Sequence, residues 1–233
     1  MLTIPEHIRA SGVAGAPITY KWHGTDDYNR ERPELMSRFQ TTSIRGVLAL
    51  ASGIAEWIAW RLDELSSYHA SLQFIEGVWA GQVAPEYLIG WDSEHEPDLE
   101  GPAERPLYHT CELLLKVYNR CDADDTGGAS RWSVYLTYLA RHVLPKPKTK
   151  VFDAWLVAAL DRMAAAYPRR KSDPLGVPVP REALDIGVPF DPARSAELVG
   201  AFLAALDPAL NPYLAPPKQM RADGFTGTPY RYP

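Results

Sequence analysis

Apolar residues recur at every third or fourth position through the middle of the chain, which is the spacing of one face of an α-helix. The pattern is longest between residues 34 and 66, where the stripe comprises Ile44, Val47, Leu48, Ala51, Ile54, Ala55, Ile58, Leu62 and Leu65. Trp57 and Trp60 extend it onto a second face. A helix that is apolar on most of its circumference must be surrounded by other elements. We therefore predict that this helix is central, with Gly46 and Gly53 allowing its neighbours to approach closely.

Five shorter segments have the same periodicity and predict five more helices. They span about residues 67–81, 106–121, 129–144, 151–167 and 192–206. Asp191 stands directly before the last of them and has the short carboxylate side chain typical of an N-cap. No long stretch alternates between apolar and polar residues, as a half-buried strand would. The sequence predicts an all-α protein, a single-domain helical bundle of about six helices around a central hydrophobic helix.

Proline and glycine mark the segments that connect and flank these helices. Six prolines fall within the last 27 residues and predict an extended tail along the surface. We expect one helical domain, 1–233, divided into an irregular N-terminal arm at 1–33, a helical core at 34–167, a proline-rich loop at 168–191, a helix at 192–206 and the tail at 207–233.

The composition is that of an ordinary globular protein, with 46% hydrophobic and 23% charged residues among 233. A formal net charge of -5 disfavours nucleic acid as a partner, because a protein that binds phosphate backbones presents a basic surface. The longest apolar run, 46–60, contains Glu56 and has 15 residues, whereas a membrane-spanning helix needs about 20. Residues 1–22 contain no secretion signal. We expect a cytoplasmic protein that does not bind a membrane.

One acidic segment, Asp122 to Gly128, has three interpretations. As a calcium loop it offers oxygens at positions one, three and five, but Ser133 replaces the bidentate glutamate of position twelve. As the D-x-D-x-T motif of haloacid-dehalogenase-like phosphatases, it would use Asp122 as nucleophile and Asp124 for proton transfer, directly after a buried strand. The residues before it have helical spacing instead. We favour the third interpretation, a turn between two helices, since Asp and Gly are common at helix ends.

No other pattern completes a catalytic, metal or cofactor site. The six histidines, His7, His23, His69, His95, His109 and His142, form no H-x-x-x-H or H-E-x-x-H pair. Nucleophile elbows and phosphate-binding glycine loops are missing from the sequence. Cys111 and Cys121 would lie about 15 Å apart on one helix, beyond disulfide reach, so we expect reduced thiols. We predict no catalytic residue, no metal and no cofactor; the alternative is a helical metal-dependent hydrolase that uses His95 or Asp122 and Asp124.

Negative charge is concentrated in one loop, which holds six carboxylates within residues 92–104. Such a field can steer a basic partner, and an adjacent aromatic ring can supply a desolvated contact. The predicted partner-binding residues are Trp91, Asp92, Glu94, Glu96, Asp98 and Glu100. The other interpretation of the loop is that it only keeps the protein soluble.

Three segments have a familiar order: Ala55 to Arg61 (AEWIAWR), Ile75 to Gly81 (IEGVWAG) followed by PEYL, and Gly101 to Leu107 (GPAERPL). Together they resemble the α-helical immunity proteins encoded beside toxins of bacterial type VI secretion and other polymorphic toxin systems. The resemblance covers about residues 30–144 and carries no catalytic residue. It implies a cytoplasmic antitoxin that binds and neutralises one toxin or effector with a basic surface. An adaptor or chaperone for a secreted effector would have the same features, and a homo-oligomer fits the sequence as well as a monomer.

Overall fold

The described residues, 2–91, 99 and 101–232 of a computed structural model, form α-helices and short 3-10 turns without a β-strand. The all-α prediction is confirmed. The helices are α1 (Glu6–Ser11), α2 (Pro33–Phe39), α3 (Ile44–Leu62), α4 (Ala70–Gly81), α5 (Glu104–Asp122), α6 (Thr126–Val143), α7 (Lys146–Ala166), α8 (Ser195–Ala204) and α9 (Pro217–Ala222). None of the helices in this part of the chain combines the length and apolarity needed to cross a membrane.

Helix α3 is the centre of the fold, as its apolar circumference predicts. Seventeen of its nineteen residues are buried, and only Arg45 and Trp60 are partly exposed. Helices α4, α5, α6 and α7 pack around it. Its start is fixed by Ser43, whose hydroxyl accepts a hydrogen bond from the Gly46 amide at 3.2 Å. Each large apolar side chain buried in this way contributes about 1.5–3 kcal/mol to folding.

The two glycines of α3 lie where neighbouring side chains come closest. A methyl group at Gly53 would overlap the Leu184 side chain and lie 3.3 Å from the Trp155 ring. At Gly46 it would overlap Thr42, whose side chain folds back over the first turn of the helix. Glycine at position 53 therefore lets α7 and the proline-rich loop approach closely, as predicted, whereas glycine at position 46 makes room for Thr42 of the same segment.

Helices α5 and α6 form an antiparallel hairpin against α3, joined by a tight turn. Asp124 has a left-handed backbone conformation in this turn, with φ of 56°. Asp125 is the N-cap of α6, because its carboxylate accepts a hydrogen bond from the Gly128 amide at 2.9 Å. The interpretation of Asp122 to Gly128 as a turn between helices is confirmed.

The number of helices was predicted too low, because three short ones lie in segments expected to be irregular or continuous. The predicted helix 34–66 is broken into α2 and α3 around Thr42, whose hydroxyl donates to the Tyr167 carbonyl at 2.7 Å. The Ser43 amide donates to the same carbonyl at 2.8 Å. These hydrogen bonds to the end of α7 replace the ones that a continuous helix would make. Helices α1 and α9 lie in the arm and the tail respectively.

The C-terminal tail, residues 207–233, was predicted to extend along the surface, but part of it is buried. Leu214, Met220 and Tyr230 are buried in a second, smaller cluster that also contains Tyr87 and Leu203. The backbone is fastened there as well, since the Ala215 amide donates to the Tyr87 carbonyl at 3.0 Å. The predicted cap at Asp191 is confirmed: its carboxylate accepts from the Ala193 amide at 3.0 Å, in the 3-10 turn that leads into α8.

Candidate functional site

The predicted acidic loop begins at a buried aromatic residue. Trp91 is 8% exposed, and its ring centroid lies 5.1 Å from that of Phe74 and 5.3 Å from that of Tyr213. The other predicted partner-binding residues, Asp92, Glu94, Glu96, Asp98 and Glu100, lie outside the described residues. The structure therefore places Trp91 as the anchor of the first end of the loop.

The second end of the loop is also held against the body of the protein. Leu99 packs against the main core, and its carbonyl accepts a hydrogen bond from Arg105 Nε at 2.8 Å. The Tyr20 hydroxyl, from the N-terminal arm, donates to the Pro102 carbonyl at 2.7 Å. An acidic segment between two fixed ends loses less conformational entropy on binding than a free tail would.

A crevice of about 270 Å³ opens at the other end of α5, beside the turn to α6. It lies where the start of α3 meets the ends of α4 and α5, with a contribution from the proline-rich loop. Its apolar lining includes Ile44, Leu48, Pro85 and Leu175, and its polar lining includes Arg45, Gln82, Tyr118, Cys121, Asp122 and Asp124. Two carboxylates that the sequence singled out therefore face one concavity.

The geometry around these carboxylates does not match the two metal-dependent interpretations of the sequence. The residues before Asp122 form the helix α5, whereas the phosphatase motif follows a strand. Asp125 is occupied as a helix cap and lies 3.4 Å from Arg120 Nη1. Within the described part of the chain, no group of three or more His, Cys, Asp or Glu side chains is arranged to hold a metal ion.

The hydrogen-bond donors of Arg45 and Gln82, which line the crevice, already form hydrogen bonds to backbone carbonyls of the protein. Arg45 donates from Nε to the Gln82 carbonyl and from Nη1 to the Gly176 carbonyl, both at 2.7 Å, and Nη2 lies 3.3 Å from the Val83 carbonyl. The Gln82 side chain exchanges two hydrogen bonds with the backbone of Val179. These contacts tie the proline-rich loop to the end of α4.

Both cysteines are free and buried, as expected for reduced thiols. Burial raises the pKa of Cys121 to about 12, with Asp122 and Asp125 adding to the effect. Burial also raises the pKa of Cys111 well above its usual value. Neither thiol ionises near neutral pH, so neither is a nucleophile in this state.

Two histidines join the N-terminal arm to the helical core, an arrangement that the sequence did not predict. His109 Nδ1 lies 3.0 Å from the Tyr28 hydroxyl and 3.1 Å from a Glu112 carboxylate oxygen. The hydrogen bond from His109 lowers the pKa of Glu112 to about 2, with a smaller contribution from Lys116. His142 Nε2 lies 3.0 Å from the backbone carbonyl of Lys21 in the arm. His95 is outside the described residues.

A buried ion pair lies near the middle of α3. Glu56 is 1% exposed and accepts hydrogen bonds from Trp79 Nε1 at 2.8 Å and Arg181 Nε at 2.7 Å. The proline-rich loop supplies Arg181, 125 residues away in sequence. A lone glutamate inside an apolar helix was the sequence signal for such a partner, but nothing in the pattern indicated which cation it would be.

Fold and site together define an all-α protein built on a buried central helix, with a charged loop at one end of α5 and a small crevice at the other. Comparisons with protein-family models, with curated proteins and with solved structures found no match for this chain. Its own geometry and charge therefore carry the functional argument.

Proposed function

We propose that this chain is a non-enzymatic, cytoplasmic protein-binding module, an immunity protein that binds and neutralises a bacterial toxin or effector through its acidic loop. The observation that carries the proposal is the density of carboxylates after Trp91. Four of them, Asp92, Glu94, Glu96 and Asp98, lie between buried Trp91 and Leu99, and Glu100 and Glu104 follow.

Charge supports the choice of a basic partner. A dense negative field raises the association rate of a positively charged surface and disfavours acidic competitors. A basic active-site cleft, such as that of a nuclease toxin, is a surface of this kind. Because the Trp91 ring is mostly covered by Phe74 and Tyr213, its main contribution in this proposal is to position the first carboxylates of the loop.

The experiment is a charge reversal in the loop, Glu94→Lys with Glu96→Lys and Asp98→Lys. The partner to be tested is any toxin domain encoded beside this chain, produced from an inducible promoter. We expect the wild-type chain to restore growth and the triple variant to fail. With purified proteins, the variant should bind about 100-fold more weakly or worse, since each reversed charge contact is worth about 1 kcal/mol or more. The dependence of affinity on salt should also decrease.

A second triple variant is the matched control. Asp26, Glu34 and Asp223 are exposed carboxylates elsewhere on the protein, and their replacement by lysine changes the net charge by the same amount. This control should retain rescue and affinity within about threefold. Equal affinity of the loop variant and the wild type would exclude the loop as the binding surface.

The same material separates the two competing functions. Stoichiometric metal in the purified protein, with ester or phosphate hydrolysis that Asp122→Asn abolishes, would replace the proposal by the metal-dependent hydrolase. A chain that is required for export of the effector, yet does not restore growth, would be an adaptor or chaperone.

A further inference from the structure

Some of the polar groups that line the crevice beside the α5–α6 turn form hydrogen bonds within the protein, and others do not. Its donors, the Arg45 guanidinium and the Gln82 amide, already bond to backbone carbonyls. Two of its remaining groups are carboxylates, which only accept. Asp122 and Asp124 are exposed at its edge, and neither carboxylate forms an ion pair or hydrogen bond with the described residues.

Tyr118 provides a third unused group in the wall of the crevice. Its side chain is partly buried, and its hydroxyl makes no hydrogen bond to the part of the chain that the structure describes. Gly81 allows this position, because a methyl group there would lie 3.0 Å from the Tyr118 ring and 3.2 Å from its hydroxyl. A polar group held at the wall of a cavity without a partner is satisfied by water or by a ligand.

The crevice is lined by the two carboxylates of Asp122 and Asp124 and by one guanidinium, that of Arg45, so its net charge favours a cation over an anion. Burial raises the pKa of Tyr118, and the negative charges of Asp122 and Glu86 raise it further. The carbonyl end of α5 also borders the crevice, and a helix C-terminus favours positive charge. At the end of α4, the Arg45 guanidinium already binds the carbonyls of Gln82 and Val83.

The N-terminal amides of α3 do not make the crevice a site for an anion. The Ile44 and Arg45 amides donate to the carbonyls of Pro174 and Leu175, at 2.9 Å and 3.1 Å. The next amide, that of Gly46, donates to the Ser43 hydroxyl. These first amides of the helix are therefore not open to an anion.

We propose that the crevice binds a small amphipathic organic cation, an ammonium or guanidinium group on a short apolar stem. The stem would lie against Leu48 and Leu175, and the cation would lie between the Tyr118 ring and the carboxylates of Asp122 and Asp124. A cavity of about 270 Å³ is slightly smaller than the roughly 300–1,000 Å³ typical of ligand sites, which limits the ligand to a small molecule. This site is at the opposite end of α5 from the acidic loop, so it does not depend on the proposed function.

The test compares three probes of similar shape and different charge, by calorimetric titration and by amide chemical shifts of residues 118–125. The probes are 2-phenylethylammonium, neutral 2-phenylethanol and anionic 3-phenylpropionate. We expect saturable binding of the ammonium with a dissociation constant of about 1 mM or lower, at least about tenfold tighter than either of the others.

Variants locate the site without disturbing the fold. Asp122→Asn with Asp124→Asn should weaken ammonium binding about tenfold or more, since each of the two exposed charge contacts is worth roughly 1 kcal/mol. Tyr118→Phe should weaken it several-fold, and Leu175→Trp should block it by filling the crevice. Asp223→Asn, a neutralised exposed carboxylate in the tail, is the matched control and should bind like the wild type.

Two results would overturn the proposal. One is the absence of saturable ammonium binding by the wild type. The other is equal affinity for the three probes, or equal effects of the crevice variants and Asp223→Asn.

Discussion

At the scale of single residues, the ion pair of Glu56 and Arg181 illustrates how burial sets the cost of a substitution. Both charges are largely removed from water, with side-chain exposures of 2% and 19%. Their desolvation is offset by two hydrogen bonds between them and by the Trp79 indole donor. Removal of one partner leaves the other as an unpaired buried charge.

We expect Arg181→Met to lower the free energy of unfolding by about 3 kcal/mol or more, because it leaves the Glu56 carboxylate unpaired. Urea denaturation followed by circular dichroism measures this change. The double variant Glu56→Gln with Arg181→Met should recover a large part of the loss, since the glutamine is neutral and can still accept from Trp79. If Arg181→Met alone lowered the free energy of unfolding by less than about 1 kcal/mol, Glu56 would have to pair with another cation or take up a proton.

His7 provides a second residue-scale prediction, because it packs against Trp155 with ring centroids 5.3 Å apart. Burial lowers the pKa of His7 to about 4, although Glu56 and Asp185 act in the opposite direction. The unfolded chain therefore takes up a proton near pH 6.5, while the folded protein does so only near pH 4. His7 stabilises the fold fully above pH 6.5, and this contribution is lost as the pH falls toward 4.

We expect the loss from His7 to be on the order of 3 kcal/mol across this pH range. The replacement His7→Phe keeps an aromatic ring against Trp155 but cannot titrate. The slope of unfolding free energy against pH between 4 and 6.5 should therefore be smaller in the variant. Identical slopes for wild type and His7→Phe would show that His7 is hydrated in the folded state.

At the scale of elements, α3 shows that close packing outweighs helix propensity. Alanine is about 1 kcal/mol more favourable than glycine in a helix interior, yet a methyl group at Gly53 would overlap Leu184 and press on Trp155. We expect Gly53→Ala to destabilise the protein by about 1–3 kcal/mol, the usual cost of overpacking.

A glycine in another helix provides the comparison. At Gly200 in α8, a methyl group would meet Tyr232 Cβ at 3.8 Å, an ordinary contact. Gly200→Ala should therefore raise the free energy of unfolding by about 0.4–1 kcal/mol. Thermal or urea denaturation of both variants tests the pair. Stabilisation by alanine at both positions would mean that Leu184 moves aside easily.

Helix ends were more predictable than helix lengths. The carboxylate of Asp191 caps its turn as expected, and the turn predicted between α5 and α6 contains a cap at Asp125, because an N-cap depends on residues within one turn of the chain. The break between α2 and α3 depends on the Tyr167 carbonyl, more than 120 residues away. No local pattern around Thr42 indicated that contact.

At the scale of the whole molecule, the segments rich in proline connect parts of the core that are distant in sequence. The loop after α7 brings Arg181 to α3 and Leu175 to the crevice. The tail covers Tyr87 with Tyr230 and Phe225, at ring centroid distances of 4.9 Å and 5.3 Å. These segments therefore have structural roles that their lack of long helices did not indicate.

The two candidate sites also differ in how far the sequence predicted them, because one is a local run of residues and the other joins segments that are distant in sequence. The acidic loop is a run of charges and is visible in the sequence, although its role in binding stays a prediction. The crevice could be foreseen only as the carboxylates of Asp122 and Asp124. Its walls come from the start of α3, the end of α4 and the proline-rich loop, which meet only in the folded chain.

The sequence by itself determined the helical class, the central position of α3 and the cap at Asp191, because hydrophobic period and capping act over a few residues. The tertiary structure alone decided that Glu56 pairs with Arg181, that Tyr118 and Asp122 face a cavity, and that the tail is buried. Such contacts join residues far apart in sequence, and burial or an unpaired polar group becomes defined only when the segments pack together.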